Sequence, residues 1–330
     1  MVVFGALTRD VLTENIEMLR VIVLAASALV LLGGRPAFAE TGIVLLAHGG
    51  RADWNARVAE LAAQVDARQP TEVAFGMATR ANIQGAIDRL AARGVSEIVA
   101  VPLFVSSWSS VITSTEYLLG LRDEPPAALA VFAKMKHGHS TPATTNGSNG
   151  HGSAHGRHGT TDVGVDGTTP VISPVPVRMT PALNDHPLVA DILASRARSV
   201  SRTPAGETVV IVAHGPNDED DNRRWLADMA SLAAQLRRGP DRFAAIEYLT
   251  LRDDAPEPVR DAATVELRAM VARHTTEGRR VLIVPLLVSF GGIEKGLRER
   301  LAGLEYVMPD AGLVPDARLV DWVLARAAGR

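Results

Sequence analysis

The sequence predicts a duplicated α/β protein in which each half is built on a parallel, doubly wound sheet, and three observations carry this. An apolar run from Ile43 to Ala47 ends in His48-Gly49-Gly50 and is followed by a helical pattern from Asp53 to about Arg68. The same layout returns at Val209 to Ala213, with His214-Gly215-Pro216 and a helical pattern from about Glu219 to Arg237. The strand segments are apolar without polar alternation, which marks strands buried on both faces, as in a parallel sheet covered by helices.

The repeat continues element by element. Glu72-Val73-Ala74-Phe75 matches Glu247-Tyr248-Leu249, and each precedes a helical pattern, Asn82 to Arg93 and Pro258 to His274. Ile98 to Ser106 matches Val281 to Ser289, including the shared Val-Pro-Leu at 101–103 and 284–286. Val177-Arg178-Met179 with the helical pattern from Leu188 matches Tyr306-Val307-Met308 with the pattern from Leu319. Each half therefore has four β-α units, and the linker between them lies around Ser201 to Gly206.

With 330 residues the chain exceeds the roughly 100–200 residues of one domain. Its formal charge of −3 offers no basic field for a nucleic-acid backbone. There is no cysteine, so thiolate metal sites and cysteine nucleophiles are excluded, and a metal must use imidazole, carboxylate or carbonyl ligands. The stretch 1–39 reads as a secretory signal. Val21 to Leu32 is an apolar run too short to span a bilayer, Arg20 precedes it, and Ala37-Phe38-Ala39 supplies a small-x-small cleavage site before Glu40. Met18-Leu19-Arg20 would make the natural start of such a signal. An exported, periplasmic protein with no stable membrane insertion after cleavage is the expectation. The segment of about 137–167 is a Gly, Ser, Thr, Asn and His tract with almost no apolar residue, expected to be a disordered insertion in the first half.

Ligands of open parallel sheets bind beyond the carboxyl ends of the strands, which is where His48 and His214 fall. Gly49 and Gly50, like Gly291 and Gly292 after the third strand of the second half, allow backbone N–H groups to approach a ligand. A histidine after a strand is often a hydrogen-bonded structural residue, and repetition of the context weighs against that reading. Trp108, in the matching loop of the first half, offers a planar face for a planar ligand or for ordinary packing. His186 precedes Pro187 at a helix start, where it either caps the helix or reaches the crevice. Glu294 either binds metal or favours its own helix terminus. The insertion holds His137, His139, His151, His155 and His158, five of the nine histidines, and reads as a metal-collecting loop or as a solvated linker. No dinucleotide fingerprint, Walker loop or Gly-x-Ser-x-Gly elbow is present.

Taken together, Leu45-Leu46-Ala47-His48-Gly49 with Asn55, Val101-Pro102-Leu103-Phe104-Val105, and Asp185-His186-Pro187-Leu188 resemble the cobalamin-type chelatases, the sirohydrochlorin cobaltochelatase and ferrochelatase family, in its long two-repeat form. The resemblance spans residues 41 to about 326. It implies two similar chelatase-like, flavodoxin-like domains, 41–203 and 207–326, each with a four-stranded parallel sheet flanked by helices. It further implies insertion of a divalent metal, cobalt first and Ni²⁺, Fe²⁺ or Zn²⁺ next, into a sirohydrochlorin-type tetrapyrrole. His48 then serves as metal ligand or proton acceptor, and His214 is a second lining of the cleft. Arg51, Arg80 and the amides of Gly49 and Gly50 are candidates for the macrocycle's carboxylates. The family's acid of the second strand and its second histidine are replaced here by Met77 and by Trp108 or Ser110, with Glu72 or Glu116 as substitute acids. The alternative is an exported metal- or tetrapyrrole-binding protein without turnover.

Overall fold

Among the described residues, valine- and isoleucine-rich segments place seven strands in two parallel sheets: β1 (Thr41–Ala47), β2 (Thr71–Phe75), β3 (Glu97–Pro102), β4 (Val177–Met179), β5 (Glu207–Ala213), β6 (Ala245–Thr250) and β7 (Arg280–Leu286). This is a computed structural model, and it describes residues 40–134 and 167–329. The expected signal segment and the five-histidine insertion lie outside the described residues. No helix among the described residues is long and apolar enough to cross a membrane.

The first sheet has the order β2-β1-β3-β4 and the second β6-β5-β7, all pairs parallel. The expected fourth strand of the second sheet is reduced to one bridge between Leu282 and Val307. The cause is local. In the first half the ladder continues through the Thr180 amide, which donates to the Ala100 carbonyl at 3.0 Å. Pro309 follows Met308 directly in the second half and has no N–H to give.

Nine helices connect the strands: α1 (Ala52–Asp66), α2 (Arg80–Ala92), α3 (Ser110–Leu118), α4 (Ala127–Phe132), α5 (Pro187–Val200), α6 (Glu219–Arg238), α7 (Glu257–Thr276), α8 (Ile293–Arg300) and α9 (Arg318–Ala327) among the described residues. Each buries the stripe that its sequence marks, as in Trp54, Val58, Leu61, Ala62 and Val65 of α1. Helices α2, α3 and α4 cover the outer face of the first sheet, and α7 and α8 that of the second.

The inner faces share one core. Ile43, Leu45, Val99 and Val101 of the first sheet belong to the same buried cluster as Val209, Ile211, Leu282 and Val284 of the second. The last helix of each half crosses over: α5 packs on α6 and β7, and α9 packs on α1 and β3. Arg196 of α5 seals one crossing by donating to the carbonyls of Gly312 at 2.8 Å and Pro315 at 2.8 Å. Residues from Thr41 onward accordingly form one compact unit.

Two tryptophans bridge the repeats in opposite senses. Trp54 on α1 donates its indole N–H to the Ser289 carbonyl at 3.1 Å, and Trp225 on α6 donates to the Trp108 carbonyl at 2.7 Å. Both rings are nearly fully buried. Replacing Trp225 by Phe keeps the ring and orphans a carbonyl, which should cost about 1 kcal/mol, whereas Trp225→Ala opens the shared core and should cost about 3–5 kcal/mol. Urea unfolding followed by circular dichroism and fluorescence should show a single transition shifted for both halves. Two separate transitions would contradict the shared core.

Candidate functional site

The two Ala-His-Gly turns have the same geometry. Strand β1 ends at Ala47 and β5 at Ala213, and the next two residues place His48 Nδ1 and His214 Nδ1 each 2.7 Å from the carbonyl oxygen of the following glycine. Gly49 and Gly215 hold φ near +77° and +78°, a left-handed conformation that favours glycine. A carbonyl oxygen only accepts, so Nδ1 bears the hydrogen. Nε2 is left with its lone pair, the form in which an imidazole binds a metal or takes a proton.

The turns differ in what surrounds Nε2. His48 is exposed and has no carboxylate partner among the described residues. His214 is half-buried, and its Nε2 lies 3.4 Å from Asp254 Oδ2, on the loop after β6. Those two atoms are both acceptors while the imidazole is neutral, so a proton or a cation between them completes the pair. Asp254 escaped the sequence reading, which sought the missing acid only in the first repeat. The signal was there in the Asp253-Asp254 pair after the second strand of the second repeat.

Several expected ligand contacts are spent within the protein. The Gly50 amide donates to Asn55 Oδ1 at 2.8 Å, and the amides of Gly291 and Gly292 both donate to Glu294 Oε2, at 3.0 and 2.9 Å. Burial raises the Glu294 carboxyl, but the Gly292 and Gly291 amides outweigh it and hold the group below the ordinary carboxylate range. Glu294 is thus tied to its own helix terminus. Gly291 is small because Trp54 lies against it: a Cβ there would sit 2.9 Å from the indole ring. His186 caps α5, its Nδ1 accepting the Leu188 amide at 3.2 Å, and its pKa is lowered by burial and by Arg326. Glu72 stands near the amino end of β2, ion-paired to Arg89 and Arg93, so it does not replace the missing acid. Glu116 sits on α3 beyond its first turn. Arg80 donates to the carbonyls of Thr169 and Pro170, and Arg51 is exposed.

Trp108 is the centre of a second cluster. Its amide donates to Ser106 Oγ at 3.1 Å, its carbonyl accepts from Trp225, and Arg224 lies over its ring with Cζ 4.8 Å from the centroid. Asp228 on α6 completes it. Burial and the charge of Asp185 push its carboxyl up to about 6, opposed by a hydrogen bond with the Trp108 side chain. Among the described residues no set of three or more His, Asp or Glu is arranged to hold a metal. A cleft of about 540 Å³ runs between α5 and α6, lined by residues such as Ser195, Arg198 and Arg238, and neither His48 nor His214 borders it.

Asp228 gives the site a pH dependence with a definite sign. The folded state holds this proton up to about 6 and the unfolded chain releases it near 3.8, so stability falls as pH rises between those values. The expected loss is on the order of 1–2 kcal/mol once solvent screening of a half-buried group is discounted. The advantage of Asp228→Asn over the parent should be small near pH 4 and largest at pH 7.5 in chemical denaturation. A difference that does not grow with pH would contradict this assignment.

Residues 42–116, which include His48 and the strand β3, match the CbiX family model. No curated protein sequence matches the chain. Among solved structures, SirB from Bacillus subtilis with Fe³⁺ aligns over 88% of this chain and 96% of its own, at 15% identity and a TM-score of 0.54. A multi-domain protein from Deinococcus radiodurans with structural similarity to chelatases aligns over 88% of this chain at 19% identity and a TM-score of 0.50; this chain spans only 55% of that protein. Residues 42–116 thus carry a CbiX segment, and the α/β architecture around it is similar to that of solved chelatase-like structures.

Proposed function

We propose that this protein inserts a divalent metal, cobalt in the first instance, into a sirohydrochlorin-type tetrapyrrole, and that His48 receives the metal or a pyrrole proton. The observation that carries the reading is His48 itself, inside the CbiX segment, with Nδ1–H tied to a carbonyl and Nε2 turned out from a strand end. Metal insertion displaces two pyrrole protons, and a neutral imidazole with a free Nε2 lone pair is suited to accept one or to hold Co²⁺ reversibly. In the second repeat His214 with Asp254 forms the complementary pair, able to take a proton at Nε2 with the carboxylate balancing the charge. The protein works outside the cytoplasm once residues 1–39 are removed, and the exported form should begin at Glu40 by N-terminal sequencing; an intact segment 18–39 on the soluble protein would contradict export.

A second reading has its own observation in favour. Trp108 stands in place of a second imidazole and no three-ligand group is preformed among the described residues, which suits a protein that holds a tetrapyrrole or metal without turnover. The two readings part in one assay, in which sirohydrochlorin and Co²⁺ are mixed with the mature protein and the absorbance change is compared with the spontaneous rate. Loss of a general base typically costs 10²–10⁴-fold, so His48→Ala should lower the accelerated rate by about 100-fold. Tight binding with no acceleration would establish the second reading. Acceleration that survives in His48→Ala but falls in His214→Ala or Asp254→Asn would move the chemistry to the second repeat.

A further inference from the structure

Arg224 forms no close ion pair among the described residues, and its charge partner there is Asp221, one turn back on the same helix. It is exposed on α6, and no carboxylate lies within ion-pair distance of it among the described residues, whereas its neighbour Arg223 is tied to Asp220 and Arg252 to Glu219. Its guanidinium is nonetheless held over the ring of Trp108. Trp108 is itself held through its backbone: Trp225 donates to its carbonyl, and Ser106 accepts from its amide. Trp108 as a residue remains 37% exposed, one of few large apolar residues so placed among the described residues.

Both members stand where ligands enter this fold. Trp108 follows the carboxyl end of β3 in the first sheet, and Arg224 lies in the second turn of the helix that follows the His214 turn of the second sheet. A guanidinium over an aromatic face uses none of its five N–H donors there, and the stacking removes much of the freedom it would otherwise lose on binding an anion. The pairing is therefore a preorganised donor set beside a planar hydrophobic plate.

We infer that Arg224, positioned by Trp108, is a substrate-recognition residue that binds a peripheral carboxylate of the tetrapyrrole. This inference rests on the tetrapyrrole reading proposed above and adds to it a residue from the second repeat. A bidentate arginine–carboxylate contact fixes orientation as well as position, so one such contact orients a disc-shaped polyacid at the carboxyl ends of the strands.

The test compares sirohydrochlorin with its fully carboxyl-amidated counterpart, with binding read by quenching of tryptophan fluorescence in the parent, Arg224→Gln and Arg224→Lys. Arg224→Gln should weaken sirohydrochlorin about tenfold, as expected for one partly exposed charged hydrogen-bonded contact, and leave the amidated macrocycle unchanged. Arg224→Lys, which keeps the charge but not the planar fork, should fall between. Thermal midpoints should agree among all three, since Arg224 is exposed. Equal weakening of both macrocycles would assign Arg224 to packing of Trp108 and overturn the inference, as would an unchanged affinity for sirohydrochlorin. Failure of the parent to bind either macrocycle would remove the tetrapyrrole reading, and this inference with it.

Discussion

The structure depends on an exchange: each sheet has its inner face covered by its own first helix and by the last helix of the other half. The inner strands of both sheets are almost wholly apolar, so neither face is stable against water. Helix α1 with α9 closes the first sheet, and α6 with α5 closes the second. Trp54 and Trp225 then each carry a polar edge into a buried place and find a carbonyl of the opposite repeat. A buried indole N–H without a partner would cost more than the bond returns, so these contacts specify how the repeats meet as much as they strengthen the meeting. The half of the chain that ends at Val200 is therefore incomplete without the half that begins at Glu207.

This arrangement sets what the carboxyl-end loops can do. Trp54 is enclosed by Gly50 and Gly291, which brings the turn after β1 alongside the loop after β7. Trp225 brings the loop after β3 against α6. Each functional loop of one repeat is therefore braced by the other repeat, and the turns bearing His48 and His214 sit on strands that cannot move without disturbing a common core. The glycines do two different jobs there. Gly49 and Gly215 permit a backbone conformation, while Gly50 and Gly291 make room for an indole.

Much of the fold was legible because buried parallel strands and their helices leave an unbroken apolar run followed by a 3.6-residue stripe, and duplication presents each signal twice. The stripe says which face of α5 or α9 is buried but not against which sheet, so the crossing of the last helices left no trace in the pattern. Met308-Pro309 concealed the loss of the last strand in the same way, since the apolar character of Tyr306 to Met308 matches Val177 to Met179 while the missing amide lies one residue further on. The positions of His48 and His214 just past a strand end were readable from the apolar runs that precede them. Glu294, Gly291 and Gly292 were readable as a cluster but not as a self-contained cap, because sequence names donors and acceptors without saying whether they meet one another. Asp228 and Arg224 acquire meaning only through Trp108, which lies more than a hundred residues away.

The two repeats have diverged around an unchanged turn, and the divergence follows from what each strand end faces. The first repeat has an imidazole in the open, with Met77 packed against the outer core and Trp108 anchored to α6. The second kept an imidazole beside a carboxylate, and it fixed the entry to its first helix by Arg252, whose buried guanidinium donates to the carbonyls of Pro216 and Asn217 at 2.7 and 2.8 Å and to Glu219 at 3.0 Å. An exposed Nε2 exchanges a metal or a proton with solvent freely, whereas an Nε2 facing Oδ2 holds a cation against a compensating charge. These would be complementary properties in the metal insertion proposed above, which must both deliver a divalent ion and remove protons. A duplicated fold can separate the two tasks between its copies, each tuned by the residues that surround the same Ala-His-Gly turn.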